Sequence, residues 1–112
     1  MSELSVKSEL KGDVAVVSPS GRVDSVTAAM LEKELEKALR NSKRIVLDLK
    51  AVKYLSSAGV RAILKASQDT KKSGGGVRLA RIPAQVIETL ENVGVIQLLQ
   101  TFASLEDAVA SF

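Results

Sequence analysis

Residues 45–49 (IVLDL), followed by residues 50–61 (KAVKYLSSAGVR), decide the fold of this chain. The first five residues are rich in apolar and β-branched side chains, which predicts a central strand that is buried on both faces. A helix is predicted over 58–72, because apolar residues recur there at helical spacing. Its inner face comprises Val60, Ile63, Leu64 and Ser67. A buried strand that leads through a short loop into a helix indicates an α/β protein.

The residues before this segment predict a β-hairpin followed by a helix. Apolar and polar residues alternate over 4–10, and an apolar run covers 14–17, so residues 11–13 (KGD) are predicted to form a turn between two strands. The sequence Ser-Pro-Ser-Gly at 18–21 is predicted to end the second strand. Helical spacing then extends over 26–40.

This first helix has a capping signal in front of it. Asp24 or Ser25 can accept hydrogen bonds from the free amides of its first turn. Charged residues surround one face of the helix, and the opposite face is apolar. The apolar positions are Met30 or Leu31, then Leu35, Ala38 and Leu39. Asn41-Ser42 marks the predicted end of the helix.

Four further elements are predicted after the second helix. Glycines at 74–76 stop that helix, and residues 77–81 (VRLAR) are predicted to form a strand. Pro83 fits the first turn of a third helix, where its missing amide costs nothing. A short edge strand is predicted at 101–103, and residues 104–107 (SLED) resemble a capping box that opens a last helix.

The order of elements is therefore β-β-α-β-α-β-α-(β)-α. Alternating strands and helices predict an α/β fold with a mixed, mostly parallel sheet of four to five strands and helices packed against it. A length of 112 residues is typical of one domain, and no linker or internal repeat divides the chain. We therefore expect a single domain over residues 1–112.

The composition excludes several classes of function. Histidine and cysteine are absent, so the chain has no imidazole or thiol for nucleophilic catalysis or for zinc binding. We expect no enzymatic activity, no metal and no cofactor. A small nucleotide-binding or hydrolytic enzyme is the alternative, but the glycines at 74–76 precede a strand and do not form the known phosphate-binding loop motif.

The charge pattern and hydropathy bear on the partners. The net charge of +3 is spread along the chain, and only three residues are aromatic. Nucleic-acid-binding proteins usually concentrate basic residues and add stacking aromatics, so direct nucleic-acid binding is not expected. The first residues lack the apolar core of a secretory signal, and no apolar run approaches the roughly 20 residues that cross a bilayer. We expect a cytoplasmic protein without membrane contact.

The loop and helix start at 54–60 carry the most specific motif. Taken alone, Ser56 or Ser57 is an ordinary helix cap. Together with the preceding strand, however, the motif resembles the signature of STAS domains, and specifically of the anti-sigma factor antagonists related to SpoIIAA and RsbV. The residues that carry this resemblance are Asp48-Leu49, Val52, Tyr54 and Ser56-Ser57-Ala58-Gly59-Val60.

The resemblance extends over nearly the whole chain. Residues 21–24 (GRVD) are similar to the segment before the family's first helix, and residues 71–75 (KKSGG) to the turn before its fourth strand. Residues 83–90, with Gly94-Val95 beyond them, are similar to the later helix and the turn that follows it. The matches occur in the family's order, each where the periodicity independently predicts the corresponding element.

The resemblance implies a phosphorylation switch. In the family, the serine at the position of Ser57 is phosphorylated by a partner serine kinase, which is itself the anti-sigma factor. Many members carry aspartate just before it, whereas this chain has Ser56 there, so Ser56 is the alternative acceptor. The unphosphorylated form is expected to sequester the kinase and so release a sigma factor. A serine phosphatase is expected to reset the phosphorylated form.

The resemblance also implies a partner-binding face near this serine. Its residues are Asp24, Ser56, Ser57, Ala58, Gly59, Arg61 and Lys65. Asp24 has an alternative role as a helix cap, and Arg61 and Lys65 have one as ordinary solvated charges. Gly59 is expected to permit close approach of the helix backbone to its neighbours.

Two alternatives remain open from the sequence. The chain is either a phosphorylation-switched antagonist or a STAS scaffold without phosphorylation, in a lipid-transport complex, a stressosome, or a partner switch for secretion or biofilm formation. The oligomeric state is expected to be a monomer or a weak dimer. The apolar residues at 109–112 pack either on a neighbouring protein or on the chain's own sheet.

Overall fold

The computed structural model describes residues 4–112, within which six strands and four α-helices alternate. The strands are β1 (Leu4–Lys11), β2 (Val14–Val23), β3 (Arg44–Asp48), β4 (Val52–Leu55), β5 (Gly76–Ala80) and β6 (Gln100–Phe102). The helices are α1 (Ala28–Asn41), α2 (Ser57–Lys72), α3 (Ala84–Val93) and α4 (Leu105–Ala110), with a short 3-10 helix at Ile96–Leu98. None of the helices in this described part is long and apolar enough to cross a membrane.

The strands form one mixed sheet, in the order β1-β2-β3-β5-β6. β1 is antiparallel to β2, and all other pairs are parallel, including β4, which lies off this order beside the end of β2. The predicted α/β class and mostly parallel sheet are confirmed. The five strands along the order correspond to those that the sequence predicts, and β4 is an additional strand.

β3 lies at the centre of the sheet and is covered on both faces, as predicted. Ile45, Val46 and Leu47 are completely buried. Because side chains alternate along a strand, Ile45 and Leu47 enter the main core with α1, α2 and α3, whereas Val46 enters a smaller cluster under α4. The C-terminal Phe112 packs on that smaller cluster, so the end of the chain covers its own sheet.

The one acidic residue in β3 is neutralised within the fold. Asp48 is buried at the end of the strand, and the guanidinium of Arg81 donates hydrogen bonds to both of its carboxylate oxygens, the one from Nε at 3.1 Å. Arg81 follows β5 and has φ of 53°, a left-handed conformation that side chains other than glycine rarely adopt. A buried carboxylate needs such a partner, so this bidentate pair stabilises the end of the sheet.

The prediction that residues 18–21 end the second strand was wrong. β2 continues through Pro19 to Val23, because Pro19 lies where the lack of an amide proton does no harm. The pairing of β2 with β3 stops at Val17, and the pairing with β4 starts at Gly21, so Pro19 has a strand neighbour on the β1 side alone. Pro19 and Val6 face each other at a position where β1 and β2 exchange no hydrogen bonds. The nitrogen of Pro19 therefore points away from β1, into the space between the end of the β3 pairing and the start of the β4 pairing.

The strand β4 was not predicted from the sequence. It has four residues, and only its two ends, Val52 and Leu55, are buried. This pattern lacks the alternation that identifies a half-buried strand. β4 forms because β2 continues beyond its last pair with β3, at Val17. The backbone groups of the later residues of β2 are then available on that side, where Val23 pairs with Leu55.

Candidate functional site

The candidate site lies where β2 and β4 end side by side. These strands are parallel, and the amide of Ser56 donates a 2.8 Å hydrogen bond to the carbonyl oxygen of Val23. Asp24 and Ser56 therefore leave the sheet at the same edge, where the carboxyl ends of parallel strands commonly form binding sites. Asp24, from the first helix region, and the serines at the start of α2 thus lie at the same end of the sheet.

The two serines before and at the start of α2 have different roles. Ser56 is the N-cap: its backbone is extended, and its Oγ accepts a hydrogen bond from the amide of Gly59 at 3.3 Å. Ser57 is the first helical residue, its side chain is exposed, and its hydroxyl makes no hydrogen bond with another described residue. The structural role that the sequence left open between the two serines therefore belongs to Ser56.

The first turn of α2 can accept an anion. The first four amides of an α-helix lack partners within the helix. Here the amide of Ser56 bonds to the Val23 carbonyl and that of Gly59 to the Ser56 side chain, which leaves those of Ser57 and Ala58. The first turn of α2 has no acidic residue that would offset the positive end of the helix dipole.

Asp24 organises the neighbouring turn before α1. Its Oδ1 accepts hydrogen bonds from the amides of Val26 and Thr27, at 2.9 and 2.8 Å. The hydrogen bond from the Thr27 amide is the main cause of the lowered pKa of the Asp24 carboxyl, and this group is ionised at neutral pH. The sequence offered Asp24 or Ser25 as the cap of α1, but the N-cap is Thr27, without a side-chain cap hydrogen bond, and Asp24 instead caps the turn that leads into the helix.

Gly59 packs α2 tightly against the strands. A Cβ atom at this position would lie 2.6 Å from Cδ1 of Leu55 and 2.7 Å from Cγ1 of Val23. Both distances are shorter than van der Waals contact, so a side chain here would push α2 away from β2 and β4. These distances agree with the expected close approach of the helix backbone to its neighbours.

The two basic residues predicted on α2 differ in their surroundings. Lys65 Nζ lies 2.9 Å from a carboxylate oxygen of Glu32 and 3.7 Å from one of Glu36, both on α1. The hydrogen bond with Glu32 raises the pKa of Lys65. Arg61 is exposed and forms no ion pair with another residue in 4–112. It lies with Ala58 and Lys65 along a shallow groove between α1 and α2.

One apolar side chain near the site was not singled out from the sequence. Val26 was predicted inside the first helix, but it lies in the turn before α1 and is 81% exposed. It follows Ser25, which lines the same groove as Arg61. The signal that could have indicated Val26 is its position two residues after an aspartate. The Asp24 carboxylate accepts a hydrogen bond from the Val26 amide, and Val26 lies in the turn outside the helix.

Loss of the Ser56 cap is expected to destabilise the domain without touching the exposed hydroxyl of Ser57. Ser56→Ala should lower the free energy of unfolding by about 1 kcal/mol, because the Gly59 amide loses its acceptor. Ser57→Ala should change it by less than about 0.5 kcal/mol, as for other exposed positions. Urea denaturation of both variants measures this; equal losses would contradict the assignment of the cap.

The model of the STAS domain family matches residues 5–108. A candidate anti-sigma factor antagonist of Bordetella bronchiseptica, BtrV, is 33% identical over 93 residues, which cover 82% of this chain and 80% of that protein. The anti-sigma-F factor antagonist RsfB of Mycobacterium tuberculosis is 30% identical over 99 residues, which cover 86% of this chain and 79% of RsfB.

Solved structures show the same fold. The crystal structure of an anti-sigma factor antagonist from Mycobacterium paratuberculosis superposes with a TM-score of 0.86 at 24% sequence identity. The superposition covers 96% of this chain and 92% of the other. The arrangement of strands and helices around the candidate site therefore recurs in a protein of diverged sequence.

Proposed function

Because this chain belongs to the STAS domain family, we propose that it is an anti-sigma factor antagonist controlled by phosphorylation of Ser57. In its unphosphorylated form it binds an anti-sigma factor that is also a serine kinase, and so releases a sigma factor. Phosphorylation by that kinase ends the interaction, and a serine phosphatase restores it. The names of the curated relatives BtrV and RsfB support the antagonist role.

The exposed hydroxyl of Ser57 at the first residue of α2 is the observation that carries the proposal. A kinase can reach this oxygen without unfolding the helix, whereas the Oγ of Ser56 is occupied in capping. A phosphate there gains hydrogen bonds from the amides of Ser57 and Ala58 and a favourable interaction with the helix dipole. The domain therefore tolerates the phosphate, and the effect of the charge falls on the bound partner.

The proposed docking face surrounds Ser57. Val26 offers an exposed apolar side chain, and Arg61 offers a guanidinium that has no carboxylate partner among residues 4–112. Arg61 lies four residues after Ser57 and therefore on the same side of α2. A phosphate on Ser57 adds about −1.5 to −2 charges at neutral pH and would attract Arg61 away from an acidic partner. Phosphorylation thus adds a charge to the interface and removes one of its contacts.

Release of a sigma factor in a reconstituted system tests this function. Each complex of a sigma factor with an anti-sigma kinase from the source organism is titrated with the unphosphorylated chain, and free sigma factor is followed by size-exclusion chromatography. We expect one complex to release its sigma factor. With ATP present the release should reverse for the natural chain but persist for Ser57→Ala, which lacks the proposed acceptor hydroxyl.

Two results would contradict this function. If no complex releases its sigma factor, the chain is not an antagonist of this kind. If a complex does release it but ATP has no effect on the natural chain, the chain binds without a switch. That second result would favour the scaffold function, in which a STAS domain acts without phosphorylation.

A further inference from the structure

The strand β1 leaves an open edge on the sheet. It pairs with β2 and with no other strand in the described part of the chain. A two-residue turn, Gly12-Asp13, joins the two strands, so the flanking residues Lys11 and Val14 form a hydrogen-bonded pair. Hydrogen bonding alternates along antiparallel strands. Within residues 5–11, the backbone amides and carbonyls that point away from β2 are therefore those of Val6, Ser8 and Leu10.

The side chains of this edge are sorted by charge and polarity. Lys7 and Glu9 are exposed on the face that carries α4, since Glu9 lies opposite Val16 of the smaller cluster. Val6 and Leu10 lie on the other face, where Val6 packs against the main core. Leu10 is 57% exposed, a large apolar surface for a strand residue. Lys7 and Glu9 make no ion pair with another described residue.

This edge is complementary to itself. If two copies of β1 run antiparallel around a twofold axis through Ser8, Lys7 lies opposite the partner's Glu9, and Glu9 opposite the partner's Lys7. On the other face, Val6 and Leu10 lie opposite each other. Residues 5–11 of both copies overlap, and the outward amides and carbonyls of Val6, Ser8 and Leu10 fall into hydrogen-bonded pairs.

The neighbouring registers are unfavourable. A twofold axis normal to the sheet places residues of the same face opposite each other, so the axis must pass through a residue. An axis through Lys7 places two lysines opposite each other. An axis through Glu9 places two glutamates together and Lys7 opposite Lys11. Like charges directly opposite destabilise a strand pair, so of these three registers the edge favours the one centred on Ser8.

We propose that two copies of this chain associate edge to edge through β1, in the register centred on Ser8, to form a continuous sheet. The partner is a second copy because the strand matches its own charge pattern. An edge-to-edge contact buries little side-chain surface, and interfaces below about 1,200 Å² are typically transient, so the dimer forms at high protein concentration. β4 and α2 lie beyond β2 from this edge, so the dimer leaves both copies of Ser57 accessible.

Charge reversal provides the main test, with sedimentation velocity from low micromolar to near-millimolar concentration as the readout. The natural chain should shift from the mass of one chain towards twice that mass. Lys7→Glu alone and Glu9→Lys alone should each weaken association by about tenfold, because two favourable cross-strand pairs become repulsive. The double variant Lys7→Glu/Glu9→Lys should restore it. An equimolar mixture of the two single variants should also form a dimer.

A backbone substitution provides a second test. Ser8→Pro removes an amide that points away from β2, so it should leave the fold intact by circular dichroism. It should weaken association by at least about tenfold, since both central hydrogen bonds are lost. Ser8→Ala is the matched control and should associate as the natural chain does. A natural chain that stays monomeric at every concentration, or a dimer that persists unchanged in the single charge variants, would overturn the proposal.

Discussion

Phosphorylation of Ser57 is expected to weaken binding to the anti-sigma kinase by about 30-fold or more. A charge that is buried without a partner at a protein interface costs roughly 2–5 kcal/mol, and each 1.4 kcal/mol corresponds to about tenfold in affinity. The phosphate lies on the exposed first residue of α2, at the centre of the proposed docking face. Isothermal titration of the kinase with the unphosphorylated and the phosphorylated chain measures the difference.

The controls separate charge from lost contacts. Ser57→Ala should bind within about threefold of the natural chain, since it removes a hydroxyl without a partner among residues 4–112. Ser57→Glu should weaken binding, but less than the phosphate does, because it has one charge and fewer acceptor oxygens. Equal weakening by Ser57→Ala and by the phosphate would show that the hydroxyl itself makes the contact and that charge has no part.

Gly75→Ala is expected to be the most destabilising of the simple glycine substitutions. A Cβ at Gly75 would lie 1.8 Å from the carbonyl oxygen of Lys43, which also accepts a 3.0 Å hydrogen bond from the amide of Gly76. The oxygen cannot move without loss of the contact that starts β5 beside β3. We expect the free energy of unfolding to fall by about 3 kcal/mol, the upper end for overpacked sites.

Gly74→Ala is the matched control for this prediction. Gly74 has φ of 83°, and a Cβ there would meet no atom within 4 Å. Its substitution therefore costs only the left-handed conformation, about 1 kcal/mol. Urea denaturation measures both values, and we expect the slope of the unfolding free energy against urea concentration to be unchanged in both variants. If Gly74→Ala proved as damaging as Gly75→Ala, backbone conformation and not the contact with Lys43 would set the cost.

Much of the fold could be predicted because local signals and burial agree. β3 and α2 begin and end within one residue of their predicted limits, since the apolar run at 45–49 and the glycines at 74–76 leave few alternatives. β4 and the second half of β2 could not be predicted. Each is stabilised by pairing with the other, and their local sequence contains Pro19 and lacks alternation.

The sequence predicted where Ser56 and Ser57 lie, but not which of the two caps the helix. The motif placed Ser56 and Ser57 at the start of a helix, but the choice of cap depends on the backbone conformation of Ser56. The contact of Lys65 with Glu32 joins residues 33 positions apart, so it depends on how α1 and α2 pack. The contact of Asp48 with Arg81 also joins residues 33 positions apart, and it depends on the pairing of β3 with β5. Such pairings are properties of the tertiary structure.

Mapping of the phosphate tests the central claim most directly. The natural chain, Ser56→Ala and Ser57→Ala are each incubated with the partner kinase and ATP, then analysed by intact-mass and peptide mass spectrometry. We predict one phosphate, on Ser57, in the natural chain and in Ser56→Ala, and none in Ser57→Ala. A phosphate on Ser56, or a chain that the kinase binds but never modifies, would contradict the account.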